Sequence, residues 1–274
     1  MTINCKGALI DLTVPKVMGI LNLTPDSFYD GGVYKSESTI LKKVEKMLNE
    51  GATFIDLGAY SSRPNAKHIS ENEELKRLLP VLKLLTSTFS DILISIDTFR
   101  SEVAKQSIYA GACMINDISA GKMDDKMMET VANLNVPYVM MHMKGTPQDM
   151  QQHVDYEYIL KDILFYFSER IAAAKAVGII DVIVDPGFGF SKTTAQNYDV
   201  LKHLNSFKIL EKPILVGFSR KSMIYKVLNA SATEALNGTT VLNTIGLQQG
   251  ASILRVHDVK EAMECIHLTQ QLTA

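Results

Sequence analysis

The chain has 274 residues, of which 46% are hydrophobic and 21% charged, and its formal net charge at pH 7 is −2. This composition allows a large core and gives no sign of nucleic-acid or membrane-surface binding. Three scattered cysteines, no apolar run of ~20 residues and no signal-peptide pattern together predict a reduced, cytoplasmic protein.

Strand-like and helix-like segments alternate along the chain. Two short strands, at residues 3–6 and 8–12, are expected to form an N-terminal β-hairpin. Eight further strand-like runs lie at residues 17–21, 54–57, 92–96, 114–118, 138–141, 182–184, 214–217 and 253–256. Helix-like segments lie at residues 38–50, 71–89, 100–110, 126–134, 156–177, 195–204, 232–249 and 259–272. Pro80, inside the second of these, predicts a kink or break.

Eight alternations of strand and helix predict an α/β fold of the (β/α)8 TIM-barrel type, as one domain over residues 1–274. The N-terminal hairpin is expected to plug the bottom of this barrel. Glycines just past four helices fit left-handed caps. The strand-to-helix loops are the long ones, notably residues 22–37, 59–70 and 142–155. In a barrel these loops meet at one face, which is the face where enzymes place their sites.

The stretch of residues 180–192 changes character at Asp185. Its first half is apolar and β-branched, which is typical of a strand buried on both faces. A proline and two glycines follow and prevent the strand from continuing. Asp185 therefore stands at the mouth of the predicted barrel, beside two phenylalanines and the charge of Lys192. Taken alone, the stretch fits a capped tight turn equally well.

Polar residues end most of the eight predicted strands. Buried polar and charged side chains are costly unless they are paired, so such a ring favours a functional site over packing. Asp97, Asn116, Asp185 and Lys221 suit a flat heterocycle with amino and carbonyl edges. Asn22, Arg63, Arg255 and His257 suit phosphate oxygens. A magnesium ion there would be held mainly by substrate phosphates, water and Asn22.

Several motifs resemble those of the dihydropteroate synthase family. They lie in the family's order at residues 18–32, 96–98, 115–119, 185–190, 217–222 and 255–258, and the match runs from about Val17 to the end. One departure falls in the second loop, where Ala59-Tyr60 replaces a Gly-Glu pair. Ser62 keeps a hydroxyl where threonine is usual.

The resemblance implies a transferase of folate biosynthesis. It would join a dihydropterin carrying a hydroxymethyl diphosphate to 4-aminobenzoate, use Mg²⁺ near Asn22, be a sulfonamide target and form a homodimer. The implied catalytic residues are Asn22, Arg63, Asp97, Asp185, Lys221, Arg255 and His257.

The resemblance also divides the site into three parts. The pterin contacts it implies are Asp97, Asn116, Ile118, Met140, Asp185, Gly217, Lys221 and Arg255. The diphosphate contacts are Asn22, Ser62, Arg63, Arg255 and His257. The 4-aminobenzoate contacts are Phe28, Pro64, Phe190, Lys221 and Ser222.

Some neighbouring residues fit supporting roles better. His142 is interpreted as a loop support, and strand alternation sends Arg220 and Asp117 away from Lys221 and Asn116. Three alternatives to the synthase stay open: a pterin-binding methyltransferase, a lyase that uses Lys221 to form a Schiff base, and a barrel that only binds pterins or partner chains.

Overall fold

The computed structural model describes residues 1–23, 37–62 and 68–272, together with the backbone of residues 29–30 and 33–34. Two antiparallel pairs lie outside the main sheet: β1 (Thr2–Cys5) with β2 (Ala8–Asp11), and β4 (Tyr29–Asp30) with β5 (Val33–Tyr34). The main sheet is parallel and contains β3 (Lys16–Asn22), β6 (Phe54–Gly58), β7 (Ile94–Asp97), β8 (Met114–Asp117), β9 (Tyr138–Met141), β10 (Val182–Asp185), β11 (Leu215–Val216) and β12 (Ile253–Val256). Phe28, Arg63 and Pro64, which the sequence predicts to be site residues, lie outside the described residues.

The main sheet is a nearly closed barrel. Its strand order is β10-β9-β8-β7-β6-β3-β12-β11, so the first and last barrel strands in the chain pair with each other. The two ends of this order are joined by one isolated parallel bridge between Val184 and Ile214. The predicted (β/α)8 barrel and its N-terminal hairpin are confirmed.

Helices surround the sheet. They are α1 (Glu37–Asn49), α2 (Glu71–Thr88), α3 (Ser101–Tyr109), α4 (Met127–Leu134), α5 (Ile159–Ala176), α6 (Thr194–Lys202), α7 (Ser222–Tyr225), α8 (Leu236–Gln248) and α9 (Val259–Gln270), with 3₁₀ turns at Met150–Gln152 and Leu204–Leu210. The short α7 and the turn at Leu204–Leu210 were not expected from the sequence. Among the described residues, no helix has the length and apolar character needed to cross a membrane.

A kink or break was expected at Pro80; helix α2 runs through this residue, so a break is wrong. A proline removes one backbone donor from the helix. The buried side of α2 offsets this loss by packing into the core, through Leu78, Val81, Leu82 and Leu85.

Side chains alternate between two apolar layers along the barrel strands. Outward residues such as Ile55, Leu57 and Val184 pack with the helices. Inward residues at the bottom form a separate cluster that includes Met18, Phe54, Val139, Ile183 and Leu215. Ile3 and Cys5 of the hairpin belong to the same inner cluster, so the hairpin does fill the bottom of the barrel. The polar inward residues are therefore confined to the upper half.

Candidate active site at the barrel mouth

The strand register places four neighbouring residues in one row across the upper end of the sheet. Asn22 pairs with Gly58, Gly58 with Asp97, and Asp97 with Asn116. A side chain at Gly58 would crowd Asp97, because a Cβ there would lie 3.2 Å from the Cβ of Asp97. The backbone alone thus brings strand-end residues of β3, β7 and β8 together.

Arg255, on β12, reaches across the barrel mouth to acidic residues of β7 and β6. Its Nη2 donates to Oδ2 of Asp97 at 2.7 Å, and its Nε donates to Oδ2 of Asp56 at 2.6 Å. The same oxygen of Asp56 accepts Nδ2 of Asn116 at 3.0 Å. Asp56 was not among the sequence-predicted site residues. The signal for it was available, since an acidic residue inside a buried apolar run needs a partner.

The charges of this network act on one another. Burial raises the pKa of Asp97 to about 7, against the opposing effect of the Arg255 guanidinium. Burial lowers the pKa of Arg255, but Asp56 and then Asp97 raise it further than burial lowers it. Arg255 therefore stays a cation at neutral pH.

Asp185 lies on β10 at the opposite side of the mouth and is 6% exposed. Its Oδ1 accepts the backbone N–H of Gly187 at 2.7 Å. Burial raises its pKa, and the Lys221 ammonium lowers it. Gly187 has a φ of 71°, and a Cβ there would lie 2.2 Å from the backbone oxygen of His142, so only glycine fits. This turn holds Asp185 in place.

Lys221 follows β11 and reaches into the same space. Its Nζ donates to the backbone oxygen of Phe188 and lies 5.1 Å from the centre of the Phe190 ring. Burial lowers its pKa to about 8, while Asp185 opposes that effect. A Cβ at Gly217 would lie 3.7 Å from this Nζ, so the glycine leaves room beside the ammonium.

Lys192 is buried beneath the loop, where its ammonium is held by three acceptors and its charge helps to lower the pKa of Asp185, which burial raises. Its Nζ bonds Nδ1 of His142 at 3.1 Å, the oxygen of Gly187 at 3.0 Å and the oxygen of Phe190 at 3.1 Å. All three N–H groups of the ammonium are thus used. Burial lowers the pKa of Lys192 to about 7, and burial followed by the Lys192 charge lowers the pKa of His142. The prediction that His142 supports the loop is confirmed, and Lys192 is its partner.

The diphosphate side of the predicted site lies at the ends of β3 and β12. Nδ1 of His257 is 3.0 Å from Oγ of Ser219, which also accepts the His257 backbone N–H at 3.1 Å. Partial desolvation, followed by the charge of Arg255, lowers the pKa of His257 to about 4, so its ring is neutral at pH 7. Asn22 and Ser62 are partly exposed at the same face.

The structure corrects the position of the methionine. Met140 pairs in register with Asp117 and Val184, and it packs in the outward, helix-facing core. Met141 pairs with Asp185 and packs at the mouth. Because successive strand residues face opposite sides, the prediction that Met140 faces the site is wrong and Met141 takes that place.

A small apolar cluster lines one wall of the mouth. It contains the predicted pterin contact Ile118, with Tyr60, Phe99, Met141, Met143 and Met150, and Phe190 packs against it. The unusual Tyr60 is therefore accommodated by packing and hydrogen bonding. Its ring lies edge-on to Phe99 at 5.0 Å, and its hydroxyl accepts Nε2 of Gln148 at 2.7 Å.

Arg220 and Asp117, which were also expected to have supporting roles, are held by hydrogen bonds to neighbouring residues. Arg220 bonds both carboxylate oxygens of Asp258, each at 2.9 Å. Asp117 accepts from Ser119, Gly121 and, at 2.6 Å, the hydroxyl of Tyr138. Ser222 lies partly exposed at the start of α7, next to Lys221.

Comparison with known proteins agrees with this site. Residues 18–257 match the family described as pterin binding enzyme. The chain is 41% identical over 272 residues to the dihydropteroate synthase of Escherichia coli (strain K12), covering 98% of this chain and 96% of that protein. The chain belongs to the pterin-binding enzyme family.

Comparison with solved structures shows which members of that family the chain resembles. The Yersinia pestis dihydropteroate synthase in a sulfonamide drug complex is similar with a TM-score of 0.93 and 41% identity, covering 100% of this chain and 99% of that chain. The Xanthomonas albilineans dihydropteroate synthase with 4-aminobenzoic acid is similar with a TM-score of 0.92 and 36% identity, covering 100% and 98%. The family members that this chain matches over nearly its full length are thus dihydropteroate synthases.

Proposed function

We propose that the protein is a transferase that condenses (7,8-dihydropterin-6-yl)methyl diphosphate with 4-aminobenzoate, giving 7,8-dihydropteroate and diphosphate. The observation that carries this proposal is the convergence of Asp97, Asn116, Asp185, Lys221 and Arg255 on one barrel mouth. It is supported by the near full-length likeness to dihydropteroate synthases, including one solved with 4-aminobenzoic acid.

The pterin ring is proposed to lie between Asp185 and Asn116. A carboxylate can accept two parallel N–H donors from a guanidine-like ring edge. Lys221 offers a cation to the ring carbonyl, since its ammonium already lies beside a backbone oxygen in the loop above. Ile118 and Met141 provide apolar surface for the faces of the ring, and Gly217 leaves space at its rim.

The diphosphate leaving group is proposed to bind at the ends of β3 and β12, beside the guanidinium of Arg255. The C–O bond between the methylene and diphosphate breaks first, and its electron pair stays on the diphosphate. The electron-rich dihydropterin stabilises the resulting cation, and the amine nitrogen then bonds to the methylene and loses a proton to solvent or diphosphate. The groups proposed to stabilise the charge that develops on the diphosphate are Arg255, neutral His257, Asn22 and Ser62. Arg63, outside the described residues, remains a predicted contact.

Magnesium fits this side only as an ion carried by the substrate. In the described part of the chain, no three His, Cys, Asp or Glu side chains are grouped so that they could hold a metal. Among the described residues, the oxygen donor predicted at the end of β3 is the amide of Asn22. A hard cation with most ligands from diphosphate and water suits such a set. When bound, Mg²⁺ would supply additional positive charge to the departing diphosphate.

4-Aminobenzoate is proposed to approach over Phe190. That ring and the ammonium of Lys221 are neighbours, so an aromatic ring and its amino group can meet the pterin methylene there. Ser222, at the start of α7, offers a hydroxyl to the carboxylate end. Phe28 and Pro64 remain predicted contacts, and sulfonamides are expected to compete for the same place.

A homodimer is proposed through α8 and α9. Two large apolar residues on these neighbouring helices are exposed, Val241 by 49% and Leu268 by 71%, and Leu272, just past the end of α9, is exposed by 72%. Exposed apolar patches of this kind are typical of subunit contacts.

The three cysteines are free and buried, which supports a cytoplasmic location.

The proposed reaction is tested by measuring diphosphate release with the dihydropterin diphosphate substrate, with and without 4-aminobenzoate. Release that depends on 4-aminobenzoate, with dihydropteroate formed in equal amount, is expected. Release at the same rate without the amine would show a hydrolase and contradict the proposal.

A further inference from the structure

Asp56 occupies an unusual place for an acid. It lies in the middle of β6, between the outward residues Ile55 and Leu57, and is 0% exposed. Its side chain therefore faces the barrel interior, one layer below the row that contains Asp97. The carboxylate accepts from Arg255 at 2.6 Å and from Asn116 at 3.0 Å through the same oxygen, Oδ2.

The second oxygen of Asp56 has a different environment. Asp56 pairs in register with Ser95 on β7. Oδ1 of Asp56 and Oγ of Ser95 are both buried, and neither has a hydrogen-bond partner within the part of the chain that the structure describes. A fully buried carboxylate with one unpartnered oxygen is expensive, and an apolar residue would pack there at lower cost. Packing therefore does not account for an acid at this position.

We infer that Asp56 is a positioning residue for the pterin site and acts through Asn116 and Arg255. By accepting Nδ2 of Asn116, it fixes which end of the amide is turned down and leaves the amide oxygen for a ring donor. By accepting Nε of Arg255, it holds the guanidinium so that Nη2 meets Asp97. This inference rests on the proposed function, because it assigns Asn116 and Arg255 to pterin recognition.

The substitution Asp56→Asn replaces one acceptor oxygen with an N–H donor, close to the donor groups of Asn116 and Arg255. If its amide nitrogen faces Asn116, the Asn116 amide must turn, and its oxygen is lost to the ligand. We expect the Kd for a pterin, measured by calorimetry, to rise at least about tenfold. The KM for the dihydropterin diphosphate should rise similarly, whereas the KM for 4-aminobenzoate should change less than about twofold.

A double-mutant cycle separates positioning from a general loss of stability. The effect of Asp56→Asn on pterin Kd should be at least about threefold smaller in an Asn116→Ala background than in the wild type. The matched control is Asp181→Asn, because Asp181 accepts the backbone N–H of Asn4 from the hairpin at the other end of the barrel. It should lower the melting temperature but leave the pterin Kd within about twofold.

Several results would overturn the inference. They are a pterin Kd within about twofold of wild type for folded Asp56→Asn, an equal effect of this change in both backgrounds, or an equal loss of affinity in Asp181→Asn. If Asp56→Asn does not fold, Asp56→Ser is measured in its place, because it keeps an acceptor and leaves room for water. Direct binding needs no turnover, so failure of the proposed reaction would leave this test intact.

Discussion

Arg255 and Asp97 form an ion pair across the inside of the barrel, from β12 to β7, with Nη2 of the arginine 2.7 Å from Oδ2 of the acid. Two strands separate β12 from β7 in the sheet, so this pair spans the mouth and is not a contact between adjacent strands. Its two members differ in protonation. The arginine is fixed as a cation, whereas the acid can gain a proton near neutral pH.

Pterin affinity should therefore depend on pH through Asp97, whose pKa is raised to about 7. Only the ionised acid accepts freely from ring donors, so affinity is expected to fall as the pH drops below 7. Asp97→Asn should bind weakly and with a flatter pH profile. Fluorescence titrations of a pterin on either side of pH 7 test this, and parallel profiles for the two proteins would contradict it.

The raised pKa of Asp97 makes stability change with pH in the opposite direction to pterin affinity. The folded protein binds the Asp97 proton more tightly than the unfolded chain does. The stabilising contribution is therefore complete below the ordinary value of 3.8 and is lost as the pH rises toward 7. The difference in unfolding free energy between the wild type and Asp97→Asn should follow this course in chemical denaturation.

Asp185→Asn should abolish measurable pterin binding. The amide oxygen of the variant is expected to keep the N–H of Gly187, which turns the amide nitrogen toward the ring donors. Loss of two charged hydrogen bonds at about 1.5–3 kcal/mol each corresponds to binding that is weaker by roughly 10² to 10⁴-fold. Calorimetry is the measurement, and Asp199→Asn on the surface of α6 is the control. Wild-type affinity in Asp185→Asn would remove this residue from the pocket.

Lys221 should act by its charge and not by forming a Schiff base. Although burial lowers its pKa to about 8, its Nζ is held by the Phe188 oxygen. Lys221→Arg keeps a cation but replaces a compact ammonium with a planar fork, so pterin binding should weaken at least about tenfold. Mass spectrometry after borohydride treatment with substrate should find no adduct. A stable adduct at Lys221 would support the lyase alternative.

Lys192→Met should destabilise the protein and weaken pterin binding together. The change leaves three buried acceptors without their donor, at about 1–3 kcal/mol each, partly offset by removal of a buried charge. Because burial lowers the pKa of Lys192 to about 7, wild-type stability gains from this group as the pH rises from 7 toward 10.5. Denaturation of wild type and variant should therefore differ more at higher pH. Lys202→Met, at the end of α6, is the control expected to show neither effect.

The sequence predicted the architecture because strand and helix periods repeat eight times and the motifs stand at strand ends. The sequence could not show which of two similar neighbouring residues on a strand points into the barrel. Met140 and Met141 differ only in which side of β9 they occupy, and the register with β10 decides between them. For Asp56, an acid inside an apolar run signals that a partner is needed, but only the structure identifies Arg255 and Asn116 as the partners that converge on it. The partners of Lys192 come from three separate positions, which no local pattern reveals.

The barrel closes between β10 and β11 by the single bridge from Val184 to Ile214, and β11 itself has only two residues. Asp185 follows immediately on one side of this seam, and Gly217 and Lys221 follow on the other. A pterin held by both Asp185 and Lys221 would therefore add a connection between two strands that share only this one bridge. At this seam the substrate would therefore act as part of the wall that surrounds it.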